Sequence, residues 1–163
     1  MDEKRTIINS FMPKVVLKPM TEEAFRAIPQ NCRIDGLIGI MEFPFRIGRE
    51  SRITRVKGQL LKVERPKFEG SEPNNDLYLL DHGDKLNISR EHIQVERVDG
   101  LYHIVDRGSI CGTSVEDERI GGDGEGGQTT IKDGDTILIG CSSTPYAYQF
   151  MILEDASLDE EEE

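Results

Sequence analysis

Short hydrophobic runs separated by polar turn residues make up most of this chain. Many of the runs are rich in β-branched and aromatic residues and have the length of strands. They cover residues 14–20, 37–48, 59–64, 76–81, 92–98, 101–106, 112–117, 129–132, 135–140 and 146–153. Only residues 21–28 favour a helix, for which Thr21 is a suitable cap. The pattern predicts an all-β protein, an antiparallel β-sandwich of two twisted sheets with one short N-terminal helix.

An Asp-Gly pair at 99–100 separates two of these runs and predicts a β-hairpin with a type I′ turn. The turn fixes the pairing, so that Glu96 faces His103 and His92 faces Arg107. His92 and His103 then share a face of the sheet but lie about 13 Å apart, at about 3.3 Å per residue. This separation is too large for a shared metal ion, and the sequence predicts no metal site.

Charge is unevenly distributed along the 163 residues, whose net charge is −11. Residues 154–163 carry seven of the 31 acids and no base, which leaves 24 acids against 20 bases in the rest of the chain. That composition predicts a disordered acidic tail. Residues 46–67, by contrast, hold eight Lys or Arg and two Glu, an excess of six positive charges. The basic stretch indicates an anionic partner.

The sequence predicts a single folded domain over residues 14–153, after a flexible N-terminal segment at 1–13. No apolar run approaches the roughly 20 residues of a membrane span, and the first residues lack the apolar stretch of a signal peptide. Cys32, Cys111 and Cys141 are odd in number and widely spaced, which favours reduced thiols over a disulfide framework. Together these features predict a cytoplasmic protein.

Two motifs resemble catalytic or cofactor sites but lack the context that such sites need. Ser89 and His92 are three residues apart, yet no G-x-S-x-G elbow surrounds the serine, so a Ser-His hydrolase is disfavoured. The glycine-rich stretch 121–127 matches a dinucleotide fingerprint but precedes a strand rather than a helix. Asp123 and Glu125 alone do not supply the alternating oxygen ligands of a calcium loop. The sequence therefore predicts no enzyme activity and no cofactor.

A third interpretation is an anion-binding site. Arg49 follows Gly48 at the end of a strand, where its planar fork suits a phosphate better than a lysine would. Ser89 can donate a hydroxyl hydrogen bond to the same anion, and Arg90 can add a second charge. His92 begins the next strand, where its ring can brace the loop from beneath by hydrogen bonding to the backbone.

Five motifs occur in an order that resembles a known family. They are FRIGRE at 45–50, NDLYLLD at 75–81, ISREHIQVE at 88–96, YHIVDRGSICGTSVEDERI at 102–120 and IKDGDTILIG at 131–140. Each motif alone is weak, but the five together resemble the forkhead-associated (FHA) domain over residues 37–153. The resemblance implies an FHA/SMAD-like sandwich that binds phosphothreonine peptides through loops at one end.

The resemblance also implies roles for individual residues. Arg49 contacts the phosphate, Ser89 donates a hydrogen bond to it, and Arg90 occupies the adjacent contacting position. Four residues are expected to support the site structurally: Gly48, His92, Gly112 and Thr113. The implied partner is a protein with a phosphorylated threonine, such as a Ser/Thr kinase or its substrate, and the implied role is signal transduction through protein–protein interaction.

The loop that should hold the peptide departs from the family pattern. The family usually has Thr-Asn before its Gly-Thr, whereas Ile110 and Cys111 stand here. Neither side chain can replace the amide with which the asparagine holds the peptide backbone. This departure keeps open an alternative function, a phosphate-independent interaction or scaffold domain of the same fold. Nucleic-acid binding is disfavoured by the overall charge and by the absence of interleaved aromatic residues.

A second departure is the length of the segment after Arg49, where residues 50–74 form a basic insertion. We expect Arg52, Arg55 and Lys57 to extend the anion-binding surface. Self-interaction is a further possibility, because a phosphorylated Thr6 or the acidic tail could compete for Arg49. An unstructured N-terminus and a tail that promotes solubility are the simpler interpretations of those two segments.

Overall fold

The computed structural model describes residues 2–63 and 73–154, with the backbone alone for 52–56 and 60–63. Two α-helices, α1 (Glu3–Phe11) and α2 (Glu22–Ala27), precede a short 3-10 helix at Gln30–Cys32. The strands within the described residues are β1 (Val15–Pro19), β2 (Ile38–Ile40), β3 (Phe45–Arg49), β4 (Arg52–Val56), β5 (Gln59–Val63), β6 (Leu77–Leu79), β7 (Ile93–Val98), β8 (Leu101–Asp106), β9 (Thr113–Val115), β10 (Glu118–Ile120), β11 (Gly127–Ile131), β12 (Thr136–Ile139) and β13 (Ala147–Ile152).

The strands form two sheets that pack face to face, which confirms the predicted sandwich. One sheet has the order β10-β9-β12-β13-β1-β2, and the other has the order β11-β8-β7-β3-β6. All the described pairs are antiparallel except β3 and β6, which run parallel. Strands β4 and β5 pair only with each other among the described residues and form a separate ribbon.

The core lies between the two sheets and takes side chains from both. Its fully buried members include Leu17 and Phe150 from one sheet and Ile47 and Ile104 from the other. Tyr102 crosses the interface, since its ring meets that of Phe150 edge to face with centroids 5.5 Å apart. Alternation of buried and exposed residues along strands such as β8 explains why the hydrophobic pattern predicted the sheets well.

The hairpin at 99–100 has the predicted register. Asp99 and Gly100 both have positive φ, 55° and 80°, as a type I′ turn requires. Glu96 lies opposite His103, and the ladder begins with Ile93 opposite residue 106. The hairpin therefore brings the start of β7 and the end of β8 together at one end of the sandwich.

The helices differ in part from the sequence prediction. Helix α2 begins where expected, with the Thr21 side chain accepting a hydrogen bond of 2.9 Å from the Ala24 N–H. Helix α1 was not predicted, since residues 1–13 were assigned to a flexible segment. Asp2 caps α1, and none of its residues is buried. A pattern that reflects burial cannot reveal a helix that buries nothing.

The strand predicted over residues 37–48 is two strands that belong to different sheets. Strand β2 pairs with β1, whereas β3 pairs with β6 and β7. Between them the chain crosses the edge of the sandwich through Phe43 and Pro44. Proline has no N–H to donate to a sheet, which is consistent with a break in pairing at this point. Strands β4 and β10 were also missing from the prediction.

Gly48 allows β3 to approach the loop that follows β6. A Cβ atom at this position would overlap the carbonyl oxygen of Arg90 and would lie 2.5 Å from Nδ2 of Asn75. The Asn75 amide donates a hydrogen bond of 2.7 Å to that same carbonyl. The strand thus lies directly against the Arg90 carbonyl and the Asn75 amide, with no room for a side chain at Gly48.

We expect Gly48→Ala to lower the free energy of unfolding by about 1–3 kcal/mol, because the added methyl must displace backbone rather than a mobile side chain. Gly58→Asn is the matched control. Gly58 has a φ of 81° with open space around it, and asparagine tolerates that conformation. Urea unfolding of both variants measures the difference. Equal midpoints would show that the close approach does not constrain β3.

Candidate functional site

Arg49 lies at the end of β3 and is nearly buried, with 5% of its surface exposed. Its Nη1 donates a hydrogen bond of 2.6 Å to the carbonyl of Ile88, and its main-chain N–H donates one of 3.0 Å to the carbonyl of Ser89. Both acceptors belong to the loop between β6 and β7. The guanidinium is therefore oriented by the loop that carries the other predicted phosphate ligands.

Ser89 connects this loop with the loop between β8 and β9. Its Oγ accepts a hydrogen bond of 3.0 Å from the main-chain N–H of Ile110. Its own N–H donates to Nδ1 of His92 over 2.9 Å. Ser89 is thus held through its hydroxyl by the opposite loop and through its main-chain N–H by the His92 ring.

His92 is fully buried beneath the two loops. Since Nδ1 accepts from Ser89, the ring proton must lie on Nε2, which donates a hydrogen bond of 2.8 Å to the carbonyl of Gly112. Burial lowers the pKa of His92, which favours this neutral form. The imidazole joins the two loops from below, and neither ring nitrogen faces the cleft.

The loop between β8 and β9 is organised by Asp106, which sequence reasoning missed. One carboxylate oxygen accepts hydrogen bonds of 3.0 and 2.8 Å from the N–H groups of Gly108 and Ser109. The other accepts from the hydroxyls of Ser109 and Thr113, at 2.6 and 2.7 Å. An Asp at a strand end, followed two residues later by Gly-Ser, is typical of such a turn, and that signal was available in the sequence.

Gly112 closes the same loop. Its φ of 85° is in the left-handed region, where glycine is favoured, and its N–H donates a hydrogen bond of 2.9 Å to the Ser109 hydroxyl. Arg119 fixes the neighbouring backbone by donating to the carbonyl of Cys111 and, over 3.0 Å, to that of Gly140. Nothing in the local sequence indicated this role for Arg119.

A second unpredicted carboxylate, Asp81, shapes the loop that carries Ser89. It accepts hydrogen bonds of 2.8 and 3.0 Å from the N–H groups of Asn87 and Ile88, and one of 2.9 Å from the hydroxyl of Tyr146. Asp81 thereby positions the Ile88 carbonyl to which Arg49 donates. Buried carboxylates thus define both loops from inside the fold.

The two loops and the end of β3 enclose an open cleft of about 420 Å³. It is lined by Arg49, Leu86, Ile88, Ser89, Arg90, Gly108, Ile110 and Cys111. The three residues predicted to contact phosphate therefore share one cleft with the two residues predicted to contact peptide. None of these eight described residues is acidic, and two are arginines, so the lining suits an anion.

Ile110 and Cys111 differ in their exposure within this cleft. Ile110 is 67% exposed at the tip of the loop. Cys111 is partly buried, and its thiol lies 3.5 Å from the carbonyl of Leu86. Neither residue offers a side-chain amide to a bound peptide backbone.

Among the other predicted residues, Lys57 and Thr6 are described and do not line the cleft. Lys57 is exposed in the turn of the β4–β5 ribbon, and for Arg52 and Arg55 only the backbone is described. Thr6 lies on the exposed surface of α1, where its hydroxyl donates to the Asp2 carbonyl over 3.2 Å. The acidic tail beyond residue 154 falls outside the described residues.

The described residues contain neither a cluster of metal ligands nor a helix that could span a membrane. Over 2–63 and 73–154 no three His, Cys, Asp or Glu side chains come together as metal ligands. Neither helix in that part of the chain is long and apolar enough to cross a membrane.

Comparison with known proteins finds a family model that matches part of the chain. A family model of the FHA domain matches residues 68–140, which contain both loops of the cleft but not Arg49. No curated protein sequence matched the chain. Among solved structures, the FHA domain of an Arabidopsis thaliana hypothetical protein has a TM-score of 0.51, with 20% identity over 90% of this chain and 91% of that one. At that identity the likeness shows a shared fold.

Two further solved structures are similar. The FHA domain of CT664 from Chlamydia trachomatis has a TM-score of 0.48 and 16% identity, covering 85% of this chain and 97% of that one. EmbR from Mycobacterium tuberculosis, solved in complex with a low-affinity phosphopeptide, has a TM-score of 0.47 and 21% identity, covering 91% of this chain. The matched region is 28% of the EmbR chain. The sandwich thus shares its fold with a solved FHA domain, and residues 68–140 match the FHA family model.

Proposed function

We propose that this domain binds phosphothreonine in protein partners and acts as an interaction module rather than as an enzyme. The observation that carries the proposal is the convergence of Arg49, Ser89 and Arg90 on one cleft, although the arginine at the end of β3 lies 40 residues before the serine. The cleft holds two arginines and no acidic lining residue among those described, which favours a doubly charged anion over a neutral ligand.

The geometry supports separate roles for the three residues. Arg49 is held by the Ile88 carbonyl, which orients its guanidinium fork for a charge-assisted hydrogen bond to a phosphate oxygen. Ser89 accepts a hydrogen bond from the Ile110 N–H, which leaves its hydroxyl hydrogen to be donated to the phosphate. Arg90 adds charge at the rim. Each charge-assisted hydrogen bond contributes about 1.5–3 kcal/mol, so the set is sufficient for micromolar binding near about −8 kcal/mol.

The apolar part of the cleft is suited to the threonine methyl group. Leu86, Ile88 and Ile110 contribute hydrocarbon surface beside the polar groups. Burying one methyl stabilises the complex by about 0.8 kcal/mol. We propose on this basis that the domain prefers phosphothreonine to phosphoserine, within a Ser/Thr kinase pathway that supplies the modification.

The alternative is a phosphate-independent interaction through the same end of the sandwich. It is favoured by the exposed Ile110, which presents an apolar tip where the family usually has a polar side chain. An apolar tip can contact a partner without any phosphate. The two functions make opposite predictions for a single substitution.

Arg49→Ala should weaken binding of a degenerate phosphothreonine peptide library by about 10- to 150-fold, the equivalent of one charge-assisted hydrogen bond. Arg97→Ala is the control, because Arg97 is a partly exposed arginine on β7 that does not line the cleft. Calorimetry or fluorescence anisotropy with phosphorylated and unphosphorylated libraries measures the effect. Binding that is indifferent to both the phosphate and Arg49 would instead establish the phosphate-independent function.

Replacing phosphothreonine by phosphoserine in one bound peptide should raise the Kd about fourfold, the equivalent of the buried methyl group. Ile110→Ser should reduce that ratio if Ile110 contributes to the apolar wall. The same titration with wild-type protein gives the reference ratio. Equal affinities for the two peptides in wild-type protein would show that the methyl group is not buried in the cleft.

The β4–β5 ribbon begins three residues after Arg49, and we propose that it extends the basic surface towards an acidic peptide. Simultaneous charge reversal of Arg52, Arg55 and Lys57 should weaken binding at low salt and flatten its salt dependence. The control reverses three exposed lysines that do not line the cleft, namely Lys14, Lys18 and Lys132. If both triple variants show the same salt dependence, the ribbon has no specific role.

A further inference from the structure

Two cysteines that are 30 residues apart in the sequence lie side by side at the edge of the cleft. Strands β9 and β12 pair up to Thr113 and Ile139, and a main-chain hydrogen bond of 2.9 Å joins the next pair of residues, 112 and 140. The same register, continued by one step, brings Cys111 next to Cys141, and the charge of Cys141 is close enough to raise the pKa of Cys111. A disulfide requires Cα atoms about 4.4–6.8 Å apart, a range that includes the spacing of about 4.5–5.5 Å between opposite residues of an antiparallel pair.

The two thiols also point in the same direction. Sγ of Cys111 lies 3.5 Å from the carbonyl of Leu86, and Sγ of Cys141 lies 3.1 Å from Oδ1 of Asn87. Leu86 and Asn87 are neighbours in the chain, so both sulfur atoms face one short segment. The side chains thus occupy the same side of the strand pair, as a bridge between them needs.

Arg119 holds the two backbones in this arrangement. One of its terminal nitrogens donates to the carbonyl of Cys111, and the other donates over 3.0 Å to the carbonyl of Gly140. One guanidinium therefore fixes the backbone both at Cys111 and at Gly140, the residue before Cys141.

The cysteines differ in their expected reactivity. Both are partly exposed, so a small oxidant can reach them. A hydrogen bond from the hydroxyl of Ser143 lowers the pKa of Cys141, whereas burial raises the pKa of Cys111. Cys141 therefore has more thiolate and reacts first, and Cys111 is placed to resolve the product.

We propose that Cys111 and Cys141 form a redox-active pair that a peroxide converts reversibly into a disulfide at the wall of the cleft. The Cys141 thiolate attacks one oxygen of hydrogen peroxide, breaks the O–O bond and becomes a sulfenic acid, while the hydroxide released takes up a proton to form water. The Cys111 sulfur then displaces the sulfenic hydroxyl, and its proton leaves with that group as a second water. The two sulfurs lose two electrons and the peroxide gains two. A dithiol reductant restores both thiols.

The effect on ligand binding rests on the proposed function. Cys111 lines the cleft and Cys141 does not, so bond formation turns the Cys111 sulfur away from the Leu86 carbonyl. The two walls of the cleft then lose one contact. We expect the disulfide form to bind a phosphothreonine peptide about threefold more weakly, the equivalent of one weak hydrogen bond.

Mass spectrometry tests the disulfide without reference to any ligand. Cys32 is exposed and separate from the pair, so Cys32→Ser removes the only other thiol without disturbing the fold. Dilute hydrogen peroxide should convert this variant to a monomer that has lost two hydrogens, and proteolysis should yield one linked peptide pair containing residues 111 and 141. Reduction should reverse the change. Retained thiols, added oxygens on either sulfur or linked dimers would overturn the proposal.

Peptide titration of the reduced and oxidised Cys32→Ser protein tests the coupling to the cleft. Adding Cys141→Ser to that variant should abolish the effect of peroxide on the Kd, while reduced protein with this second substitution should bind as before. An unchanged Kd after complete disulfide formation would overturn the coupling. If the reduced protein shows no phosphate-dependent binding, the proposed function fails, and the disulfide is then judged by mass alone.

Discussion

One buried imidazole joins the two loops on which the rest of the site depends. His92 accepts the N–H of Ser89 at one nitrogen and donates to the carbonyl of Gly112 at the other, which only a neutral ring with its proton on Nε2 can do. Desolvation favours that neutral form. The imidazole thus acts as a rigid spacer of fixed length between two main-chain segments. The position of the Ser89 hydroxyl relative to the opposite loop follows from this spacing.

The loop between β8 and β9 has its shape independently of the residues at its tip. Asp106 holds Gly108, Ser109 and Thr113, and these contacts all lie before or after positions 110 and 111. Those two side chains are therefore free to differ from the family pattern without loss of the loop conformation. A substitution at the tip alters what the cleft can recognise but leaves its outline intact.

Local sequence signals predicted those parts of the fold that are determined locally. The Asp-Gly turn gave the register of β7 and β8, and Thr21 marked the start of α2, because each conformation depends on a few adjacent residues. Helix α1 escaped prediction since it buries no side chain. Strand β10 is only three residues long, too short for its alternation to be distinguished from a turn.

The candidate site was predictable to a different extent for different residues. Arg49 ends a strand and Ser89 lies in the loop before the next antiparallel strand, so both were expected at one end of the sandwich. The order of the sequence motifs supported that expectation. Arg119 and Asp81 act on loops distant in the sequence, and no local pattern reveals such contacts. The cysteine pair illustrates the same limit, because wide spacing along the chain suggested isolated thiols. Only the register of β9 and β12 places Cys111 beside Cys141.

The parallel pairing of β3 and β6 has a consequence for how this domain can diversify. Parallel neighbours cannot be joined by a tight turn. The segment between Arg49 and Leu77 must therefore run back along the sheet before β6 can begin. Since the entropy of closing a loop grows slowly, with each doubling of length costing only about 0.6 kcal/mol, that return path can lengthen at little expense to the sandwich. The β4–β5 ribbon is part of this connecting segment and begins three residues after Arg49. The domain therefore has a position where surface can be added or removed while Arg49, Ser89 and Arg90 stay in place.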